Sequence, residues 1–137
     1  KHIRVFQNLS RPVNVITTHS AWLMSSLVMG ANGLLSGAGS VISDLQVALF
    51  NAVKSNNIAK AKKINDLIFP LVQLFYKPPF LDMHNRMKET LVLLNRIEKA
   101  FVRPPLMKLP LNEIEALRKV IKQINLTEHS KVFNAAE

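Results

Sequence analysis

VNVITTHSAWLMSSLVMGANGLLSG, residues 13–37, decides the fold. Its opening, Val13-Asn14-Val15-Ile16-Thr17, is rich in β-branched side chains and has no helical period, which reads as a strand buried in a parallel sheet. Thr18 or His19 can then cap a helix from Ser20 to Met29, with Leu23, Leu27 and Val28 as its apolar stripe and Gly30 as its stop. A second brief strand follows from Gly33 to Ser36. Strand, helix, strand, helix with connections of a few residues is the pattern of a βαβα unit in a parallel α/β sheet. Two strands alone do not make a stable sheet.

Upstream, Ile3, Phe6 and Leu9 share one helical side, and Ser10-Arg11-Pro12 stops that helix. Downstream the pattern becomes wholly helical. Ser43 with Gln46 reads as a capping box, followed by an apolar face of Leu45, Ala48, Leu49, Ala52 and Val53 up to Lys54. Asn57 caps the next helix, whose core side runs from Ile58 to Phe75 past Pro70, where a kink is expected. A helix over Asp82–Arg96 is expected to bury Met83, Met87, Leu91 and Leu94. The last, capped by Asn112 with Glu115, is expected to bury Ile114, Leu117, Val120, Ile121 and Ile124. Between these two, Val102 to Leu106 reads as extended, because residues before proline avoid the helical well. The residues after Leu126 read as a flexible polar tail. Residues 1–56, 57–126 and 127–137 thus form three parts: two βα units, a helical extension and a tail. The chain is mostly helical by content.

The 137 residues, 48% hydrophobic, suit one globular domain or a piece of one. Zero cysteines exclude a disulfide scaffold, a cysteine nucleophile and thiolate metal sites. The net charge of +9 raises nucleic acid and acidic membranes as partners, but the lysines are scattered rather than stacked into one block, so neither is expected. Val13 to Ser43 is too polar and glycine-rich for a bilayer span. The start at Lys1 shows neither an initiating methionine nor a signal-peptide pattern, and reads as a cut from something longer.

Candidate chemistry lies at the strand exits. His19, beside Thr18 and Ser20, follows the first strand, and strand C-terminal ends form the active face of α/β barrels. Ser36-Gly37-Ala38-Gly39-Ser40 joins the second strand to a helix, where backbone N–H groups can hold an anion; it lacks both the third glycine of a dinucleotide fingerprint and any P-loop element. No ligand spacing supports a metal, so no metal and no cofactor is expected. Arg103 and Lys88 read as structural side chains, held by loop carbonyls or an acidic neighbour.

The order of these pieces resembles the C-terminal part of the dihydrodipicolinate synthase and N-acetylneuraminate lyase family of pyruvate-dependent class I aldolases. Residues 13–37 resemble the last two strands of its (β/α)8 TIM barrel. SVISDLQVALFNAVKSNNIAKAKKIND is similar to its final barrel helix and the next helix, FLDMHNRMKETLVLLNRI to the segment holding a family lysine, here Lys88, and FVRPPLMKLPLNEIEALRKVI to an Arg-Pro-Leu element before the terminal helix. The resemblance implies a cytoplasmic, homotetrameric lyase in which a lysine of the sixth strand forms a Schiff base with a 2-oxo acid such as pyruvate. That lysine would lie upstream of Lys1, so this piece alone is expected to be inactive. It also implies that Leu35, Ser36 and Gly37 face the pyruvate end of the substrate and Thr18, His19 and Ser20 its distal part. Here Thr18, His19 and Ser20 stand where the family carries a glycine and acidic residues. The rival expectation is a free-standing basic helical module that binds a partner protein or a polyanion.

Overall fold

A computed structural model of the chain describes residues 2–126; the expected tail, 127–137, lies outside them. In chain order the elements are α1 (His2–Gln7), β1 (Ile16–Thr17), α2 (Leu23–Val28), β2 (Gly33–Leu34), α3 (Gly39–Lys54), α4 (Ile58–Phe75), α5 (Met83–Leu93) and α6 (Leu111–Gln123). Single 3-10 turns over Ser20–Trp22 and Phe80–Asp82 lead into α2 and α5, so the helix read from Ser20 is a 3-10 turn followed by a short α-helix.

β1 and β2 pair in parallel, Ile16 opposite Gly33 and Thr17 opposite Leu34. The regular ladder is shorter than the stretches Val13–Thr17 and Gly33–Ser36. Flanking bonds lengthen it: Asn32 N–H donates to the Val15 carbonyl at 2.7 Å, Leu35 N–H to the Thr17 carbonyl at 2.9 Å, and the Asn32 side chain accepts from Val15 N–H at 2.8 Å. At Gly33 an added Cβ would stand 3.0 Å from Ile16 Cδ1, so a larger residue there would have to turn the exposed Ile16 side chain aside.

The core is a helical seam. Leu45, Leu49 and Ala52 of α3 are buried with Ala61, Ile64, Ile68, Leu71 and Phe75 of α4, and Leu117 and Ile121 of α6 join the same cluster. Helix ends follow local chemistry. Gly30, at φ +100°, ends α2, and Asn56 at φ 58° ends α3 with Asn57 N–H returning to the Ala52 carbonyl at 2.8 Å. Asn57 then accepts from Lys60 N–H at 3.0 Å, the expected cap of α4.

Several expectations are corrected. α3 begins at Gly39 and bends at Ile42 (φ −127°, ψ 39°); Ser43 bonds to Asp44, and Gln46 turns inward, so no capping box forms. As expected, α4 runs past Pro70 and ends at Phe75. α6 starts after Pro110 with no side-chain cap, placing Asn112 inside its first turn. Residues 103–106 close a turn, Leu106 N–H to the Arg103 carbonyl at 3.0 Å, where an extended run was expected. Arg103 is exposed, whereas Lys88 does meet a loop carbonyl, that of Phe101 at 2.6 Å.

The largest correction concerns α5. Met87 is buried, but Met83, Leu91 and Leu94 are half-buried, and the inward face carries Asn85, Arg86, Glu89 and Thr90. Arg86 is 1% exposed. Its Nε donates to Glu113 Oε2 at 2.8 Å, and its Nη1 to the carbonyls of Phe75 (3.3 Å), Lys77 (2.6 Å) and Pro79 (3.3 Å). One guanidinium therefore receives the chain leaving α4 and grips the first turn of α6. Its Nη2 and Asn85 Oδ1 are buried without a hydrogen-bond partner among the described residues, so the net stabilisation is less than the bonds made would suggest.

Arg86→Ala leaves Glu113 with Lys77 as its ion-pair partner, 3.3 Å away, and takes the guanidinium from the Phe75 and Lys77 carbonyls; it is expected to cost about 3 kcal/mol, read as a fall in the urea midpoint, and Arg86→Met with Glu113→Leu should recover most of it. The Arg86 hydrogen bond, opposed by burial and aided by the Arg86 and Lys77 charges, holds the Glu113 carboxyl below the ordinary carboxylate range. A carboxyl depressed in the folded state stabilises above its unfolded pKa and loses that contribution as pH falls through the folded value. The urea midpoint is therefore expected to drop as pH falls below the ordinary carboxylate value of 4.5, and Glu113→Gln should flatten that drop.

Candidate functional site

The C-terminal ends of β1 and β2 open on the same side, because the strands are parallel and in register. Thr18, His19 and Ser20 leave β1; Leu35, Ser36 and Gly37 leave β2. The structure joins the two exits through Ser20 and Ser36, whose hydroxyls share a short hydrogen bond. Ser20 is buried, and its hydroxyl also meets the Tyr76 hydroxyl at 3.0 Å. Gln46 Nε2, from the buried face of α3, donates to Ser36 Oγ at 3.0 Å. Three segments far apart in sequence, the strand exits, α3 and the end of α4, thus meet at two serine hydroxyls.

His19 lies outside this knot but is not loose. Its Nδ1 accepts from Ala21 N–H at 3.3 Å, which caps the 3-10 turn. Its ring stacks on Tyr76, centroids 4.4 Å apart with 29° between planes, and Trp22 stands 6.4 Å away. Gly37 lies against α5, since an added Cβ would stand 3.3 Å from Met87 Cε and 3.8 Å from His84 Nε2. Thr18 and Leu35 are exposed at the rim, Leu35 by 73%.

Of the six residues read from sequence, the fold bonds Ser20 to Ser36, sets His19 beside them on Tyr76 and places Gly37 under α5. Thr18 and Leu35 stay at the surface. Tyr76, Gln46, His84 and Met87 were missed as neighbours of this site. For Gln46 a signal existed: a polar side chain among Leu45, Leu49 and Ala52 on the apolar face needs a partner. Tyr76 gave only the weaker hint of a hydroxyl just past the last apolar position of α4. Among the described residues no three His, Asp or Glu side chains gather as a metal would need, and no helix is long and apolar enough to cross a membrane.

Removing the Gln46 amide unpairs Ser36 Oγ from α3. Gln46→Ala is expected to lower stability by about 1–3 kcal/mol in urea titration, and Gln46→Glu, which cannot donate when ionised, by a similar amount above neutral pH.

The sequence profile of the dihydrodipicolinate synthetase family matches residues 1–124. YagE of Escherichia coli K12, named as a candidate 2-dehydro-3-deoxy-D-gluconate aldolase, is 26% identical over 113 residues, 82% of this chain and 36% of YagE. The solved structure of YagE with pyruvate superposes with a TM-score of 0.73 at 24% identity, covering 82% of this chain and 37% of that one. Dihydrodipicolinate synthase from Bacteroides thetaiotaomicron superposes with a TM-score of 0.71 at 19% identity, covering 80% and 37%. The chain spans little more than a third of the length of these relatives, and at such identities the superpositions establish the shared fold of the matched part.

Proposed function

Because the chain belongs to the dihydrodipicolinate synthetase family, we propose that it is the C-terminal portion of a Schiff-base-forming lyase, an aldolase or dehydratase, acting on pyruvate or a related 2-oxo acid or sugar acid. The observation that carries this reading is the family match over residues 1–124, together with two parallel strands whose exits converge on one polar cluster. Ile16 in β1 and Leu35 at the end of β2 are exposed, and further strands of a (β/α)8 barrel would cover such residues. In this reading residues 1–56 close the barrel and 57–126 form the helical extension of a cytoplasmic homotetramer. The bound pyruvate of YagE supports a 2-oxo acid as one substrate, and the name of YagE suggests a 3-deoxy sugar acid as the product of condensation.

The chemistry divides between this portion and the rest. A lysine ε-amine outside the present chain attacks the 2-oxo carbon, water leaves, and the resulting iminium takes up the electron pair of the carbon–carbon bond that breaks, or supplies it through the enamine when that bond forms. The share of this chain is to hold the substrate. The backbone at Leu35, with Ser36 and Gly37, faces the pyruvate end; Thr18 and His19, braced by Ser20, face the distal end. Where the family carries acidic groups this chain offers an imidazole and hydroxyls, which suits a polyhydroxylated partner better than a cationic one.

The test is borohydride trapping with pyruvate, read by mass spectrometry. The full-length protein is expected to acquire one reduced adduct on one lysine upstream of Lys1; a protein that takes up none would end the lyase reading. The 137-residue chain alone is expected to acquire none at any of its twelve lysines.

A further inference from the structure

The Ser20–Ser36–Gln46–Tyr76 knot has a direction that can be worked out from its donors. Ser36 Oγ accepts from Gln46 Nε2, and Ser20 Oγ bonds both Ser36 Oγ and Tyr76 OH with a single proton of its own. A phenol is a stronger donor than an alkyl hydroxyl, so Tyr76 donates to Ser20 and Ser20 to Ser36. Ser36 then accepts twice, and its own proton is left for an oxygen outside the protein. If the chain ran the other way, Ser36 would spend that proton on Ser20. The ring of Tyr76 acts separately: it carries His19, whose Nδ1, as the acceptor from Ala21 N–H, must be unprotonated, which puts the proton of the neutral ring on Nε2.

Tyr76 is itself held from both sides, since Arg86 Nη1 binds the carbonyls of Phe75 and Lys77 that flank it. We propose that Tyr76, from the end of α4, is a positioning residue for both strand exits: its hydroxyl orients Ser36 as a donor to a ligand oxygen, and its ring orients His19 as an Nε2–H donor. The assignment rests on the reading above that these exits face the substrate, with Ser36 toward the 2-oxo acid and His19 toward the second carbonyl compound.

Two variants separate the two actions. In the full-length protein, with pyruvate and glyceraldehyde as probes, Tyr76→Phe keeps the ring and is expected to raise the KM for pyruvate about three- to tenfold while leaving that for glyceraldehyde within about twofold. Tyr76→Leu is expected to raise both, and kcat should change less than KM in each variant. Ring-nitrogen NMR of the full-length protein supplies a readout that does not depend on turnover: His19 should be the Nε2–H tautomer in wild type and in Tyr76→Phe, and a mixture in Tyr76→Leu. If Tyr76→Leu does not fold, the Tyr76→Phe split and Ser20→Ala, expected to match Tyr76→Phe, decide the question. Equal KM changes for both probes in Tyr76→Phe, or lowered stability with KM and tautomer unchanged, would overturn the proposal. Should wild type form no pyruvate adduct, the lyase reading falls by itself, and the tautomer shift alone upholds or overturns the role of the ring.

Discussion

A buried guanidinium organises this protein. Arg86 is almost wholly out of water, and a charge so placed persists only when its hydrogen-bonding capacity is met by groups fixed in advance. Those groups are the carbonyls of Phe75 and Lys77, at and just past the end of α4, the carbonyl of Pro79, which also accepts from Asp82 N–H at 3.2 Å before the turn into α5, and the Glu113 carboxylate in the first turn of α6, where the helix dipole favours negative charge. All lie where one helix gives way to the next. The interaction therefore sets how three helices end and begin relative to one another, which apolar packing, being non-directional, does not do as sharply.

From that anchor the order propagates to the strands. Residues 75–79 are pinned, so Tyr76 is pinned, and its hydroxyl reaches Ser20 while α3 reaches Ser36 through Gln46. A two-residue parallel ladder contributes few bonds of its own. What holds its exits in register is the helical layer behind it, with Ala38, Val41 and Ile42 wholly covered just after the β2 exit and Leu23 wholly covered just after the β1 exit. The helical extension and the strand pair are thus joined by a continuous run of contacts, from Arg86 to the backbone beside Tyr76 and through Tyr76 and Ser20 to Ser36.

Much of this was legible in the sequence because it depends on local chemistry. Gly30 ends its helix by taking a conformation other residues avoid, Asn57 caps the next, and the end of the β-branched run, Ile16–Thr17, pairs in parallel with the second strand. The seam of α3 and α4 follows the 3.6-residue period. What failed was the assumption that polar residues seek the surface or a local cap. Gln46 was read as reaching back to Ser43, yet its partner lies on the other side, ten residues upstream in a different element. On α5 the apolar period picked Met83, Leu91 and Leu94, while the true inner face is polar because it meets helix ends rather than helix sides. Arg86 could not be picked from a period at all, since its partners are backbone carbonyls, which every sequence has. The asparagines at positive φ after α3, α5 and α6, Asn56, Asn95 and Asn125, form a local signal that was present and used only at its neighbour Asn57.

The strand exits combine a buried base with an exposed rim. Ser20 and Gln46 are buried and both bond to Ser36, whereas Thr18, His19, Leu35 and Gly37 are exposed. Loops placed on a fixed scaffold can differ in side chain without cost to the fold, so the groups that meet a ligand can change while those beneath them stay. A hydroxyl knot suits the base better than an ion pair would: serine and tyrosine both donate and accept, so the set can satisfy itself and still present one proton outward. An ion pair at the same place would impose a fixed field on every ligand that approached.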